Sequence, residues 1–459
     1  MYFQQFYLGC LAQASYLIGS GGEAAVVDPR RDVDDYLEVA KREGLAIRHV
    51  IETHLHADFV SGHRELAERA GARIYFGASS GAAFEHVAVR ENDEISFGSV
   101  TLRFLETPGH TPESVCVLVI DRAVSPNPKA VLTGDTLFIG DVGRPDLLGS
   151  EMPAAELAGL LYDSLHEKLL RLPDSVAVFP GHGAGSLCGK NISSETSSTI
   201  GRQRLVNPAL QPMPRDEFVR QVTADLPEAP PHFRRDVELN RSGPAALSDL
   251  PPLLPLDPDA AAARAQEGAV FLDVRPPDVY GGSHVAGSFQ IGLSGQFATW
   301  AGTVLPPRAP VILVAADPKA VEEARMRLAR VGVENVAGYL DGGGAPAWAR
   351  SGRPVGQTEQ IDVAELQKRL SEGASLDVLD VRRPGEWQTG RIERARGISL
   401  HELAARAEEL DSAAPVAAIC AGGYRSSIAT SLLERAGFRR ITNVVGGMTA
   451  WNGAGFETV

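Results

Sequence analysis

The chain has 459 residues, of which 44% are hydrophobic and 22% are charged, and its formal net charge is -14. This length exceeds one ordinary core and predicts about two to four domains. The acidic balance disfavours binding to nucleic acid or anionic membranes, and no apolar run is long enough to span a bilayer. The first residues, Met1 to Gln5, lack the basic and then apolar pattern of a signal peptide, so we expect a cytoplasmic protein.

Short β-type runs alternate with helical stretches over the first ~240 residues, a pattern typical of layered α/β folds. The pattern predicts, in chain order, a strand at 24–29, a helix at 33–44, and strands at 49–53, 100–105, 115–120, 131–133 and 176–179. Loops that bound several of these strands carry His or Asp. Because such loops can converge on one place, we expect a single site here.

Six side chains in these loops are candidate metal ligands. They are His54, His56, Asp58, His110, Asp135 and His182. A lone His is more often a packed or solvated side chain, but six candidates in glycine-rich or strand-end loops make coincidence a poor explanation. The sequence therefore predicts a metal site in the first module.

The segment Thr53-His54-Leu55-His56-Ala57-Asp58-Phe59 resembles the metal loop of the metallo-β-lactamase superfamily, His-x-His-x-Asp-His. That loop normally builds two adjacent metal sites. Phe59 stands where the last His belongs and has no lone pair for a metal, so we expect one metal.

With the turn Thr107-Pro108-Gly109-His110-Thr111 and the pair Gly134-Asp135, residues 1–245 resemble the glyoxalase-II-like and persulfide dioxygenase branch of this superfamily. The resemblance implies an αββα sandwich and one Fe(II) per chain, held by His54, His110 and Asp135. Two His and one carboxylate with open opposite positions suit non-haem iron.

The remaining candidates take supporting roles in this resemblance. The resemblance implies that His56, Asp58 and His182 orient the metal ligands or the substrate thiolate. Residues 141–146 and 186–190 also resemble segments of rhodanese-fused dioxygenases. Arg144 and Lys190, which these segments contain, could meet an anionic substrate, and a surface role is equally open for each.

A proline-rich stretch at 242–255 is typical of a linker, and an internal repeat follows it. Phe271-Leu272-Asp273-Val274-Arg275-Pro276 recurs as Val378-Leu379-Asp380-Val381-Arg382-Arg383-Pro384. We expect two copies of one α/β domain, at 256–352 and 358–457, each of typical domain size.

The last copy carries a cysteine in a loop between the apolar run 416–419 and a helix predicted to begin at about Ser427. Backbone N–H groups of such a loop, beside a helix N-terminus, favour a thiolate or a bound anion. The expected sulfur- or anion-binding residues around Cys420 are Gly422, Gly423, Tyr424, Arg425 and Ser426. The loop resembles the rhodanese active loop, which implies that Cys420 carries sulfane sulfur as a persulfide.

The first copy lacks this chemistry. Ala315 aligns with Cys420, and the loop continues as Ala316-Asp317-Pro318-Lys319, without the double glycine or the Arg. Alanine cannot carry sulfur, so we expect an inactive rhodanese copy that serves as a spacer or docking surface, with a binding role left open.

These resemblances imply a persulfide dioxygenase that oxidises a thiol persulfide, such as glutathione persulfide, with O2 to sulfite. Cys420 would couple this reaction to sulfurtransfer among thiosulfate, sulfite and thiols in sulfide oxidation. One alternative is a glyoxalase-II-like dinuclear zinc thioester hydrolase with an appended sulfurtransferase domain. The other is a noncatalytic sulfur relay with a structural metal. The sequence leaves open the carrier thiol, the direction of sulfurtransfer and assembly into a homo-oligomer.

Overall fold

The computed structural model describes residues 1–147, 152–226 and 229–459. The chain divides into two compact units, one made of 1–250 with 329–332 and the other of 251–328 with 333–459. Over the described ranges, no helix combines the length and apolar character that a membrane span requires.

The described part of the first unit contains two six-stranded sheets. The strands of one sheet, in spatial order, are β1 (Tyr2–Leu8), β2 (Gln13–Ser20), β3 (Glu23–Val27), β4 (Ala46–Ile51), β5 (Arg73–Gly77) and β6 (Val87–Val89). Those of the other are β7 (Glu94–Phe97), β8 (Val100–Glu106), β9 (Val115–Asp121), β10 (Ala130–Gly134), β11 (Ala177–Pro180) and β12 (Ser198–Thr199). Strands β3 to β6 run parallel, as do β10 and β11.

The helices of this unit are α1 (Asp34–Arg42), α2 (His63–Ala70), α3 (Ala154–Asp163), α4 (Ile200–Val206), α5 (Arg215–Thr223) and α6 (His232–Ser242). One buried apolar cluster joins the facing sides of the two sheets. A second packs α1, α2 and α6 on the first sheet, and a third packs α3, α4 and α5 on the second. The layers are therefore αββα, which confirms the predicted fold class.

The predicted strands and the predicted helix exist, with ends displaced by at most a few residues. The sequence pattern did not predict the first hairpin, β1–β2, in which apolar and polar side chains are mixed. Its register pairs Tyr2 with Gly19 and Leu8 with Gln13, and a bridge joins Gln13 to His182. This hairpin thus reaches one of the candidate ligand loops.

The second unit contains, among its described residues, two five-stranded sheets, and within each sheet the neighbouring strands run parallel. The first, in spatial order, is β13 (Pro255–Leu256), β18 (Val336–Leu340), β17 (Val311–Val314), β14 (Val270–Asp273) and β16 (Phe289–Gln290), with a small pair β15 (His284–Val285) and β19 (Val355–Gly356) beside it. The second is β20 (Glu359–Ile361), β24 (Ile441–Val444), β23 (Val416–Ile419), β21 (Asp377–Asp380) and β22 (Arg396–Gly397). The strand order is the same in both sheets, so the repeat in the sequence is a repeat of topology.

The helices of the second unit are α7 (Pro258–Gln266), α8 (Pro277–Gly282), α9 (Phe297–Val304), α10 (Pro318–Ala329), α11 (Ala345–Arg350), α12 (Val363–Ser371), α13 (Pro384–Trp387), α14 (Leu400–Arg406), α15 (Tyr424–Arg435) and α16 (Gly447–Gly453). Helix α15 begins at Tyr424, three residues before the predicted start at Ser427. Gly423 explains the difference, because its left-handed backbone (φ 97°) turns the chain directly into the helix.

Candidate metal centre and cysteine loop

The first ligand candidate, His54, follows β4 and is held by a relay of hydrogen bonds. The Thr53 hydroxyl donates to Asp28 Oδ2 at 2.8 Å, so it is free to accept from His54 Nδ1 at 2.9 Å. The proton of His54 therefore lies on Nδ1, which leaves the Nε2 lone pair available. All three side chains are buried. Such a partner on the far nitrogen is what orients a metal-binding His.

His110 is oriented in the same way from the loop between β8 and β9. Its Nδ1 lies 2.8 Å from the carbonyl oxygen of Arg144, which can only accept, so Nε2 again carries the lone pair. The Nε2 atoms of His54 and His110 lie 3.8 and 3.5 Å from Oδ2 of Asp135, which follows β10. One ligand atom from each of the three residues lies within 4.8 Å of the others.

The charge states of these groups suit a metal ion. Burial lowers the pKa of both His54 and His110, which favours neutral imidazoles. Burial opposes ionisation of Asp135, but the imidazoles of His182, His54 and His110 outweigh it and hold the pKa of Asp135 well below its usual value. Two neutral imidazoles and one carboxylate are the donor set of a divalent transition metal.

The backbone approaches this cluster closely at Gly143. A β-carbon there would collide with the carbonyl oxygen of Asp135 and with Nδ1 of His110. His54 Nε2 is buried and has no hydrogen-bond partner among the described residues. Because an unsatisfied buried nitrogen is costly, this cluster fits a metal better than it fits a purely structural role.

His182 lies between two carboxylates at the edge of the cluster. Its Nδ1 is 2.7 Å from Asp135 Oδ1, and its Nε2 is 2.8 Å from Asp58 Oδ2. Burial opposes the charged ring, but Asp135 and Asp58 outweigh it and raise the pKa of His182 well above its usual value. This direction favours the charged imidazolium, and the Nδ1 contact fixes one oxygen of Asp135.

His56 points away from the three-ligand cluster. Its Nε2 lies 3.2 Å from Asp28 Oδ1 and 3.0 Å from Glu52 Oε2. Burial opposes its protonation, but the two carboxylates prevail and raise the pKa of His56 to about 10. The ring of Phe59 packs on His56 with centroids 4.3 Å apart. In this arrangement His56 neutralises buried carboxylates.

Three residues near these groups were not predicted as site residues. Cys188 is buried and lies with Asp58 and His182 in a second group of donor atoms, and Asp28 and Glu52 form a third group with His56. Burial, then the charges of Asp58 and Asp135, raise the pKa of the Cys188 thiol. The only signal in the sequence was the position of Cys188 in the glycine-flanked segment 186–190.

Arg144 and Lys190, predicted as substrate-side cations, are engaged in the protein framework. The Arg144 guanidinium makes two contacts of 2.7 Å with the Asp146 carboxylate, while its carbonyl oxygen orients His110. Lys190 Nζ donates to the carbonyl oxygens of Gln221 and Ala224. Arg144 thus supports the site through its backbone.

The candidate anion-binding loop of the second unit, residues 420–426, surrounds the sulfur of Cys420. Its Sγ accepts from the Gly423 N–H at 3.1 Å, and Ser426 Oγ lies 3.5 Å away. The Arg425 guanidinium pairs with both oxygens of Glu386 at 2.7 Å. Cys420 is only 1% exposed. A backbone amide, a hydroxyl and a paired guanidinium around one sulfur can hold an anion or an outer sulfur atom.

Known proteins resemble both units. The Metallo-beta-lactamase superfamily model matches residues 8–182, and the Rhodanese-like domain model matches 257–350 and 362–454. Persulfide dioxygenase ETHE1 of Bos taurus is 31% identical over 214 residues, which cover 45% of this chain and 74% of that protein. The human protein of the same name is 30% identical over 216 residues, with the same shares covered. A solved metallo-beta-lactamase from Staphylococcus aureus has a TM-score of 0.66 and 35% identity, covering 74% of this chain and 98% of that one.

The chain therefore belongs to the metallo-beta-lactamase superfamily. Its first module is homologous to the ETHE1 persulfide dioxygenases, and two rhodanese-like domains follow it. This confirms the family resemblance predicted from the loops. The homology also makes the chain an enzyme of sulfur metabolism.

Proposed function

We propose that this chain is an iron-dependent persulfide dioxygenase fused to a sulfurtransferase. The observation that carries the proposal is the presence, in one chain, of the His54–His110–Asp135 cluster and the amide-lined loop of Cys420. The first offers two imidazoles and a carboxylate, a donor set that suits non-haem iron. The second offers a place for sulfane sulfur.

In this proposal His54, His110 and Asp135 hold one Fe(II), which supplies the activation of O2 when it is bound. Thr53 and the Arg144 carbonyl keep both imidazoles in the tautomer with a free Nε2. His182 Nδ1 contacts Asp135 Oδ1, and its Nε2 lies 2.8 Å from Asp58 Oδ2. These residues keep the ligand set rigid and dry, since every one of them is buried.

The overall oxidation balances without a further reductant. One thiol persulfide, one O2 and one water give one thiol, one sulfite and two protons. The sulfane sulfur loses four electrons, and the two oxygen atoms of O2 gain them. Glutathione persulfide is the substrate we propose first, in agreement with the expected role in sulfide oxidation.

The sulfurtransfer step uses the Cys420 thiolate. It attacks the sulfane sulfur of a donor such as thiosulfate, the donor's S–S bond breaks, and sulfite leaves with the electron pair. The Gly423 N–H and the Arg425 guanidinium face this loop and stabilise the persulfide anion on Cys420. A thiol or sulfite then takes the outer sulfur.

A dinuclear zinc thioester hydrolase is the second candidate. The observation that favours it is the second donor group, Asp58, His182 and Cys188, because zinc accepts carboxylate, imidazole and thiolate ligands. It predicts two zinc ions per chain and activity without oxygen. Phe59 opposes it, since no ligand atom is available at that position.

Metal analysis combined with an oxygen electrode tests the proposal. We expect about one iron per chain and uptake of about one O2 per sulfite formed from glutathione persulfide. His110→Ala should bind no iron, and its O2 uptake rate should fall by at least about 100-fold. Cys420→Ser is the matched control and should keep both. Two zinc ions with thioester hydrolysis and no O2 uptake would contradict the proposal, and O2 uptake in Cys420→Ser excludes a noncatalytic relay.

A further inference from the structure

The metal loop, residues 53–61, is held by one amide side chain from a distant helix. Asn240 lies in α6, 181 residues after Phe59, and only 1% of it is exposed. Its Nδ2 donates to the carbonyl oxygens of His56 and Phe59, both at 2.8 Å. Its Oδ1 accepts from the Ser61 N–H at 2.8 Å. One side chain therefore makes three hydrogen bonds to the backbone of the metal loop.

These three bonds use the full donor capacity of the Asn240 amide. An asparagine side chain has two N–H donors and one acceptor oxygen, and each of them has a partner here. The opposite orientation of the amide would place its oxygen against two carbonyl oxygens, so the partners fix the orientation. The two carbonyl groups flank Ala57 and Asp58. A buried and fully bonded amide thus fixes the turn that presents the Asp58 carboxylate.

A continuous series of contacts leads from this turn to a candidate metal ligand. Asp58 Oδ2 lies 2.8 Å from His182 Nε2, and His182 Nδ1 lies 2.7 Å from Asp135 Oδ1. The other oxygen of Asp135 is the one that lies 3.5 and 3.8 Å from the two ligand imidazoles. All three side chains are buried. The position of Asp58 therefore influences the orientation of the Asp135 carboxylate.

The first half of the metal loop is held by different side chains. The Thr53 N–H donates to Asp28 Oδ1 at 2.7 Å, and the Leu55 N–H donates to Glu113 Oε1 at 2.9 Å. These bonds bracket His54. The half that contains His54 is thus fixed without Asn240, whereas the half that contains the Asp58 turn is bonded to it. Loss of Asn240 should consequently act on the Asp135 side of the metal centre.

We propose that Asn240 is a positioning residue of the metal centre. By fixing the Asp58 turn it holds His182 against Asp135, which keeps the second oxygen of Asp135 beside the two ligand imidazoles. Asn240 touches neither metal nor substrate and acts only through these residues. This inference rests on the proposed metal site, and it extends that site to a side chain outside the strand-end loops.

Metal titration of the full chain tests the inference with Asn240→Leu, which keeps the size of the side chain and removes all three bonds. We expect the Kd for Fe(II) to rise by about 10–100-fold, because partners of metal ligands commonly contribute this much to affinity. The visible absorption of Co(II) bound at the same site should also change, since it depends on the geometry of the ligands. If Asn240→Leu does not fold, Asn240→Ala decides, because it adds neither bulk nor charge.

A double variant tests the route through Asp58. Asp58→Asn should itself weaken Fe(II) binding, because the contact with His182 loses its charge. If Asn240 acts through Asp58, the loss of affinity in the double variant should be smaller than the product of the two single losses by at least about fivefold. Losses that simply multiply would show that Asn240 does not act through Asp58 and would overturn the inference.

Two controls separate positioning from general loss of stability. Ser242→Ala removes an exposed hydroxyl of the same helix, which donates to the Leu239 carbonyl oxygen, and should match the natural protein. Val222→Ala truncates a side chain of α5 that packs on the second sheet. It should lower the melting temperature by about 2–5 °C, with the Kd for Fe(II) within about twofold of the natural value.

Equal Fe(II) affinity and an equal Co(II) spectrum in the Asn240 variants and the natural protein would overturn the inference and leave the proposed function intact. A loss of Fe(II) affinity in Val222→Ala as large as that in Asn240→Ala would also overturn it, because stability alone would then explain the effect. Absence of Fe(II) binding by the natural protein would overturn both the inference and the proposed function.

Discussion

The two rhodanese-like copies share a framework and differ at one turn. In each, an Asp at the end of a strand pairs with the Arg two residues later: Asp273 with Arg275, and Asp380 with Arg382. In each, a buried central strand leads into the loop where the nucleophile belongs. The framework is therefore the same in both copies, whether or not a cysteine is present.

The turns that follow these strands differ in the groups that lie at the helix N-terminus. In the active copy Gly423 caps α15 with no side chain, and its N–H is directed at Cys420 Sγ. In the inactive copy the Asp317 carboxylate accepts from the Ala320 N–H at 2.9 Å, and Pro318 has no N–H to offer. The Asp317 carboxylate therefore occupies the N-terminus of α10, where an external anion would otherwise bind. This copy therefore differs from the other in the anion cradle as well as in the cysteine.

The largest effect should come from Cys420→Ser, because this substitution removes the thiol that the inactive copy also lacks. Sulfurtransfer from thiosulfate to cyanide should fall by at least about 1000-fold, because a hydroxyl cannot carry sulfane sulfur. Thiocyanate release measures this directly. O2 uptake with glutathione persulfide should stay within about twofold. Residual transfer above about one per cent would mean that another sulfur carrier exists in the chain.

Removing the loop cation should have the next largest effect. Arg425→Ala makes this position resemble the inactive copy, and we expect kcat/KM for thiosulfate to fall by about 10–100-fold because a charge facing the anion is lost. Glu386→Gln is the matched control. It leaves Arg425 unneutralised, so its kcat/KM should equal or exceed that of the natural protein. A decrease of equal size in both variants would assign the pair a structural role.

His401 has no counterpart in the inactive copy, where residues 291–297 contain no His. Burial, then Arg383 and Arg425, lower the pKa of His401 to about 4 in the folded chain, against about 6.5 for an unfolded His. Between pH 4 and pH 6.5 the unfolded state binds a proton at His401 that the folded state does not bind. The contribution of His401 to the free energy of unfolding is therefore complete above pH 6.5 and is lost as the pH falls to 4. We expect the free energy of unfolding to fall by about 1–2 kcal/mol over this range, after allowance for the partly exposed ring.

His401→Gln should remove this dependence. Urea unfolding at pH 7 and at pH 4.5 gives the comparison, with the difference between variant and natural protein cancelling the other titrating groups. Equal pH dependence in both proteins would show that His401 ionises as freely in the folded chain as in the unfolded one.

The smallest effect concerns the inactive turn. Asp317→Ala removes the side-chain cap of α10 and should lower the free energy of unfolding by about 1 kcal/mol. Sulfurtransfer should not change, since Cys420 retains its own turn. Thermal unfolding with a parallel thiosulfate assay measures both quantities. An increase in stability would indicate that the cap is not formed in solution.

The grouping of His54, His110 and Asp135 was predictable because these residues lie in strand-end loops. His54 follows β4 and Asp135 follows β10, and loops at the ends of strands converge when sheets pack. The roles were less predictable. His56 lies two residues from His54, yet its partners are Asp28 and Glu52. No local pattern in the sequence encodes that pairing.

By itself the sequence indicated layered α/β domains, a repeat, the candidate ligands and Cys420 in a glycine-rich loop, because periodicity and loop composition are local properties. The αββα and rhodanese-like folds were implied by the resemblance of its motifs to known families. The tertiary structure alone decided which nitrogen of His54 and His110 is free, that Cys188 joins Asp58 and His182, and that Gly292 accepts a hydrogen bond from Tyr424 beside the Cys420 loop. These depend on contacts between residues distant in the chain. Only packing, through burial and hydrogen-bond geometry, brings such residues together.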